Sequence, residues 1–186
     1  MELPAIKILS SCPEPEQKAA LDLLFEPSAA MHEMLVPIVQ STTHTSYDDL
    51  ITACQQHLTS LATQEMGPKL LSILGSHPRL GAAKVSSQQS VAEQASLVGG
   101  GGGGGDEDEA QTQTLSSLNA EYETRFPGLR YVVFVNGRPR SDIMRDMRLR
   151  IDRGDYAREV DAALEAMCDI ARDRAAKLPV RASKTS

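Results

Sequence analysis

The sequence predicts an all-α chain, a single domain over residues 1–186 built as a bundle of about eight helices. Three observations predict it. Apolar residues recur at three- and four-residue spacing in one segment after another. Aromatic residues make up only 4% of the 186 and tryptophan is absent, while 41% are hydrophobic. The core must then come from Leu, Ile, Val, Met and Ala, a set that favours packed helices over a β-sandwich. Only one segment, Leu129 to Val135, has strand propensity, and it has no second strand to pair with.

The elements follow in order. Residues Met1 to Pro13 form a lead-in. Pro15 suits a first helical turn, and Leu21, Leu24 and Phe25 give that helix an apolar face. Met31, Leu35 and Ile38 continue at helical spacing, with a kink expected at Pro37. Ser46 is a good N-cap with Asp49 three residues later, followed by Leu50, Ile51, Cys54, Leu58 and Leu61. Pro68 starts a short helix through Leu74, which Gly75 is expected to stop. Ser90 caps the next helix. After it comes a flexible insertion at 97–110, with seven glycines from Gly99 to Gly105 and four acids from Asp106 to Glu109. A helix resumes at Ala110 with Leu115, Leu118, Tyr122 and Phe126 on one side, and Pro127-Gly128 ends it. Leu129 to Val135 is then expected to be a buried extended segment, or a helix that overrides propensity, before a turn at Asn136-Gly137. Ser141 caps a helix bearing Ile143, Met147 and Ile151, closed by Arg153-Gly154. The last helix carries Tyr156, Val160, Ala163, Leu164, Met167, Ile170 and Ala171, and Arg174 extends the same stripe. A cation on a core face must be paired, line a cavity, or lie past the packed part and reach water.

The net charge of −6 argues against a general nucleic-acid binder or an anionic-membrane binder. Cys12, Cys54 and Cys168 are odd in number and widely spaced, with neither a metal pattern nor a disulfide framework, so reduced thiols are expected. No apolar run approaches a membrane span, there is no signal-peptide pattern, and Ser183 to Ser186 does not match the S-K-L peroxisomal address, so a cytoplasmic protein is expected.

The chemistry concentrates between Gly75 and Gln94. His77 titrates near neutrality and follows a helix end. Ser90 and Glu93 have capping-box spacing, and a helix start of that kind suits an anion. Glu93 can also orient His77 or share its proton. On spacing alone the plainer alternative is the better one: a loop histidine and an ordinary cap. His57 lies off its helix stripe, and His32 and His44 have no chemical partner nearby in sequence.

Five motifs in order change that balance: HPRLG (His77 to Gly81), S-x-x-E-Q (Ser90 to Gln94), LNAEYETRF (Leu118 to Phe126), YVVFVNGRPRSDI (Tyr131 to Ile143) and I-x-x-x-R (Ile170 to Arg174). Together they resemble the 2-oxo-4-hydroxy-4-carboxy-5-ureidoimidazoline (OHCU) decarboxylases of urate degradation, from about Leu21 to Leu178. The resemblance implies an all-helical fold, usually a homodimer, and cofactor-free decarboxylation of OHCU to (S)-allantoin with no metal. It implies that His77 and Glu93 match the catalytic pair, and that Pro78, Ser90, Gln94, the backbone run Val132, Val133, Phe134, Val135 and Asn136, and Arg174 match substrate contacts. Two positions depart from the family pattern. Arg79 stands where Asp is frequent, and Asn136 where many members have Arg, a loss that Arg138 or Arg140 is positioned to offset. Two other readings stand beside this one: an inactive helical scaffold, and an acid/base enzyme for another ureide.

Overall fold

The computed structural model describes residues 1–41, 44–64, 67–81 and 106–181. They contain eight helices: α1 (Ile6–Leu9), α2 (Glu14–Leu24), α3 (Ala29–Ser41), α4 (Tyr47–Gln64), α5 (Pro68–Leu74), α6 (Asp106–Arg125), α7 (Arg140–Arg153) and α8 (Tyr156–Lys177). The all-α expectation holds. Strand-like pairing among the described residues is limited to a parallel bridge between Leu3 and Val180. There the Leu3 N–H donates to the Pro179 carbonyl at 2.9 Å and the Arg181 N–H to the Leu3 carbonyl at 2.7 Å. The Ser90 helix and the glycine run lie outside the described residues.

These residues divide into two compact units, Met1–Ser76 with Leu164–Ser186, and His77–Ala163. In the first unit α3 packs against α2, α4 and α5. Leu21, Leu24, Phe25, Met31, Leu35, Val39, Leu50, Ile51, Cys54 and Leu58 are all buried. The α3 face runs through Val39 rather than Ile38, which is half-buried. Pro37 sits inside α3 on its exposed side, and the helix continues past it to Ser41. Ser46 caps α4 as the spacing predicts: its Oγ accepts the Asp49 N–H at 3.1 Å, while Asp49 Oδ2 reaches back to the Thr45 N–H at 2.9 Å. The lead-in residues are tied down by polar side chains. Gln17 Nε2 lies 3.0 Å from the Cys12 carbonyl and 3.1 Å from that of Ser10, and the Tyr47 hydroxyl donates to the Pro4 carbonyl at 2.7 Å.

In the second unit α6 packs on α7. Helix α6 begins at Asp106, so the acidic run counted with the insertion belongs to a helix. Acidic residues are favoured at the positive end of a helix, which is the physical reason the boundary falls earlier. Helix α7 likewise starts one residue before its expected cap: Pro139, with extended backbone, holds the N-cap position, and Ser141 lies inside. Gly154 ends α7 at φ 64°, a left-handed conformation that a side chain would strain.

The centre of this unit is charged. Glu159, on the first turn of α8, is fully buried and accepts from Arg150 Nε at 2.9 Å, from Arg153 Nη2 at 2.6 Å and from the Tyr122 hydroxyl at 2.8 Å. Arg150 lies 4.8 Å from the centroid of the Tyr131 ring, and that hydroxyl donates to Asp146 at 2.5 Å. Burial, then the nearby Glu159 carboxylate, pushes the Tyr122 phenol well above its ordinary pKa; burial, then Asp146, does the same to Tyr131. Both therefore stay donors. Burial works against the Arg150 charge, but Glu159 and its other neighbours outweigh it and raise its pKa.

Removing one member of such a buried set leaves charge uncompensated. Glu159→Ala is expected to lose about 3–5 kcal/mol of stability in urea unfolding. Burial also pushes the Cys54 and Cys168 thiols up to about 12. At mildly alkaline pH roughly one such thiol in ten thousand is the reactive thiolate. Mass spectrometry after brief iodoacetamide treatment of the native protein should then find Cys12, which is half-exposed, modified well before either.

Candidate active site

Helix α5 delivers His77. Its last turn closes without left-handed backbone, because Gly75 sits at φ −87°, ψ −4°, in the right-handed region. Gly75 holds the C-cap and stops the helix where expected, and the Ser76 hydroxyl adds a bond to the Ile73 carbonyl at 2.7 Å, satisfying a helix-end acceptor. His77 follows and is buried.

Two of the sequence motifs meet here. In the segment after His77, the Leu80 carbonyl accepts from Asn119 Nδ2 at 3.0 Å, and the same nitrogen donates to the Leu115 carbonyl at 2.9 Å. Arg79 Nε donates to Glu123 Oε1 at 2.6 Å, with a second bond from Nη2 at 2.5 Å. The hydrogen bonds from Arg79 hold the Glu123 carboxyl below the usual carboxylate range, against the effect of its partial burial. Gly81 adopts φ +76°, and a Cβ there would come within 2.7 Å of the Leu115 side chain. Asn119 and Glu123 are four apart and so lie on one face of α6. That face grips the HPRLG segment, which explains why these two stretches carry the resemblance together. Arg79, where Asp is frequent, is thus engaged by α6.

The run Tyr131 to Val135 is neither strand nor helix and pairs with no second strand among the described residues. Its carbonyls are taken by arginine side chains. Arg150 Nη1 lies 3.4 Å from the Val132 carbonyl oxygen, Arg138 Nη2 2.5 Å from that of Phe134, and Arg138 Nε 3.3 Å from that of Val135. The N–H groups differ: from Tyr131 to Asn136, none donates to an acceptor among the described residues. Tyr131, Val132 and Val135 are nonetheless buried. Backbone N–H groups outside helix and sheet keep their donors available to other acceptors, ligand or water. Asn136 ends the run at φ 44°, exposed, in the left-handed conformation that Asn tolerates better than most residues. Arg140 donates to Thr112 Oγ1 at 3.4 Å.

Arg174 lies in the other unit. It is buried, its Nη2 2.8 Å from Glu26 Oε1 and its Nη1 3.4 Å from the Leu24 carbonyl. Of the three environments open to a cation on that stripe, the structure selects pairing, and it excludes the exposed one. Of the other expected site residues, Pro78 and the run Val132 to Asn136 share the compact unit of His77. Ser90, Glu93 and Gln94 lie outside the described residues.

Sequence reasoning overlooked Glu26, Asn119, Arg150 and Glu159. Arg150 and Glu159 had a signal: Ile143, Met147 and Arg150 share one stripe, as do Glu159, Ala163 and Ile170. A charge in a core position requires a partner. Glu26 follows a helix end and had none. His32 and His44, set aside for want of neighbours in sequence, do have partners in space: His32 Nε2 lies 2.6 Å from Asp22, and His44 Nε2 lies 3.2 Å from the Ile38 carbonyl.

Comparison with known proteins adds three findings. The family model described as OHCU decarboxylase matches residues 10–176. No curated protein matches this chain in sequence. Among solved structures, a crystal structure of (S)-allantoin synthase superposes with a TM-score of 0.58 at 16% identity, covering 94% of this chain and 54% of that one. The likeness is one of fold, and the present chain spans about half the length of that protein. Glu26→Ala is expected to lower stability by about 3 kcal/mol, because it removes a carboxylate from a buried guanidinium. Thermal melting of Glu26→Ala beside the double variant Glu26→Ala/Arg174→Met checks this, with the double variant the more stable of the two.

Proposed function

The chain is a member of the OHCU decarboxylase family, and on that premise we propose that it decarboxylates OHCU to (S)-allantoin. The observation that carries the reading is the lock between the HPRLG segment and α6, which presents a buried histidine at the end of a helix. A scaffold has no use for a titratable side chain held in that way.

The chemistry asks little of the protein beyond positioning and one proton. The substrate carries its carboxylate on a carbon that also bears a hydroxyl, next to a C=N bond. When the bond to the carboxylate breaks, CO2 leaves and the electron pair moves into the C=N, which serves as the electron sink. The nitrogen and the carbon of the former C=N then each gain a proton, one of the two balanced by the proton that the hydroxyl gives up as it becomes a carbonyl. Protonation at carbon creates the stereocentre, and its hand depends on the face from which that proton arrives. His77 is the group placed to handle that proton, and Glu93 sets its protonation. Ser90, Gln94 and the N–H groups of Val132 to Asn136 hold the ring and ureido group, since fixed donors orient a planar polar ligand. Pro78 shapes the wall beside His77, and Arg174, paired with Glu26, is the further substrate contact that the family resemblance implies.

With the family come further expectations: no metal or organic cofactor, and a homodimer; action in the cytoplasm is the expectation from the sequence. No described helix is long and apolar enough to cross a membrane. The reading is tested by oxidising urate and hydrolysing the first product in situ, then following the circular dichroism of (S)-allantoin. The wild type should raise the rate of optically active product well above the slow racemic background. His77→Asn should return it to background with an unchanged far-ultraviolet spectrum. A near-normal rate in that variant would remove His77 from the proton step, and a racemic product with wild type would remove the activity itself.

A further inference from the structure

We propose that Arg150 and Arg138 are positioning residues that act on the substrate through the backbone, by fixing and polarising the N–H groups of Val133 and Val135. The inference rests on the function proposed above and names how one part of that site works.

The geometry begins with the peptide plane. The structure has no cis peptide, so the carbonyl of each residue and the N–H of the next point in opposite directions across a planar unit. Arg150 on the Val132 carbonyl therefore turns the Val133 N–H away from itself, and Arg138 on the Phe134 carbonyl does the same for the Val135 N–H. The two N–H groups belong to residues two apart in a segment that is neither strand nor helix. Neither donates to any acceptor among the described residues, and Val135 is buried. A β-sheet would fix such a run through a neighbouring strand, and here two guanidinium groups take that place.

A cation on a carbonyl also polarises the peptide, which makes its N–H a stronger donor. Each such donor suits an oxygen that gains negative charge, such as a ring carbonyl of the substrate as CO2 leaves. The arrangement also gives the arginines beyond Asn136 a task. Arg138 supplies positive charge to the same turn from two residues further on, without having to touch the ligand. Arg150 is anchored for this by Glu159 at 2.9 Å, with its ring contact to Tyr131, and one face of its guanidinium is thereby committed.

Selective 15N-valine labelling tests this. Arg138 is exposed, so Arg138→Gln should fold normally, and Arg150→Lys keeps a cation in the buried cluster. Arg138→Gln should move the amide resonance of Val135 and leave that of Val133 nearly in place. Arg150→Lys should do the reverse, and Arg138→Lys should restore most of the Val135 shift. Titration with (S)-allantoin should perturb both amides in the wild type. In the decarboxylation assay Arg138→Gln should raise KM roughly tenfold, with a smaller change in kcat, as loss of one strengthened hydrogen bond requires. Amides of Val133 and Val135 that ignore both the substitutions and allantoin, in a wild type that turns over OHCU, would overturn the inference alone. A wild type with no decarboxylase activity would overturn the functional reading instead.

Discussion

A buried carboxylate organises the unit that holds the histidine. Glu159 has no access to water, and its charge is met by Arg150, Arg153 and Tyr122. Tyr122 comes from α6 and both arginines from the last turn of α7, so with Glu159 on α8 one carboxylate ties three helices at a point. Ion pairs in an interior contribute little net energy when whole, yet breaking them is expensive. Their value lies in fixing one arrangement. Apolar contacts allow α6 and α7 to slide by fractions of a turn, whereas donors aimed at one carboxylate do not. The edge-on contact of Tyr122 with Tyr131, at 5.4 Å between ring centroids, extends that order to the start of the unpaired run.

From that anchor the order passes in two directions. Along α6, Tyr122 fixes the helix whose adjoining positions Asn119 and Glu123 hold the segment that follows His77. Along Arg150 it passes to the Val132 carbonyl. Both the histidine and the open N–H groups are thus placed by side chains belonging to other elements, and both lie on chain without regular structure. Loops held in this manner are where ligand-binding groups are commonly displayed, because helix and sheet consume their own backbone donors.

The other unit repeats the device on a smaller scale. Arg174 and Glu26 are both almost entirely buried and 2.8 Å apart, with the Leu24 carbonyl as a further acceptor for the arginine. Arginine suits the position because its planar fork serves two acceptors at once and its charge does not titrate away. The helices around it are held by ordinary apolar packing, with α3 in contact with α2, α4 and α5.

The sequence by itself determined the all-helical class, most helix positions, the unpaired run after α6 and the family to which the chain belongs. Those properties follow from spacing and local propensity, which are written residue by residue: Ser46 with Asp49 reads as a cap and is one, and Val132 to Val135 lacks a second strand and lies outside helix and strand. Helix starts were less legible at Asp106 and Pro139, where charge at a helix end and proline geometry outweighed the expected boundary or cap. Only tertiary structure decided the partners. Nothing in the order of residues says that Glu26 meets Arg174 across 148 positions, that Asn119 holds Leu80, or that Arg150 turns to the Val132 carbonyl. A stripe of apolar residues announces that a charge within it needs a partner, but which partner depends on how helices pack, and that is a property of the folded chain alone.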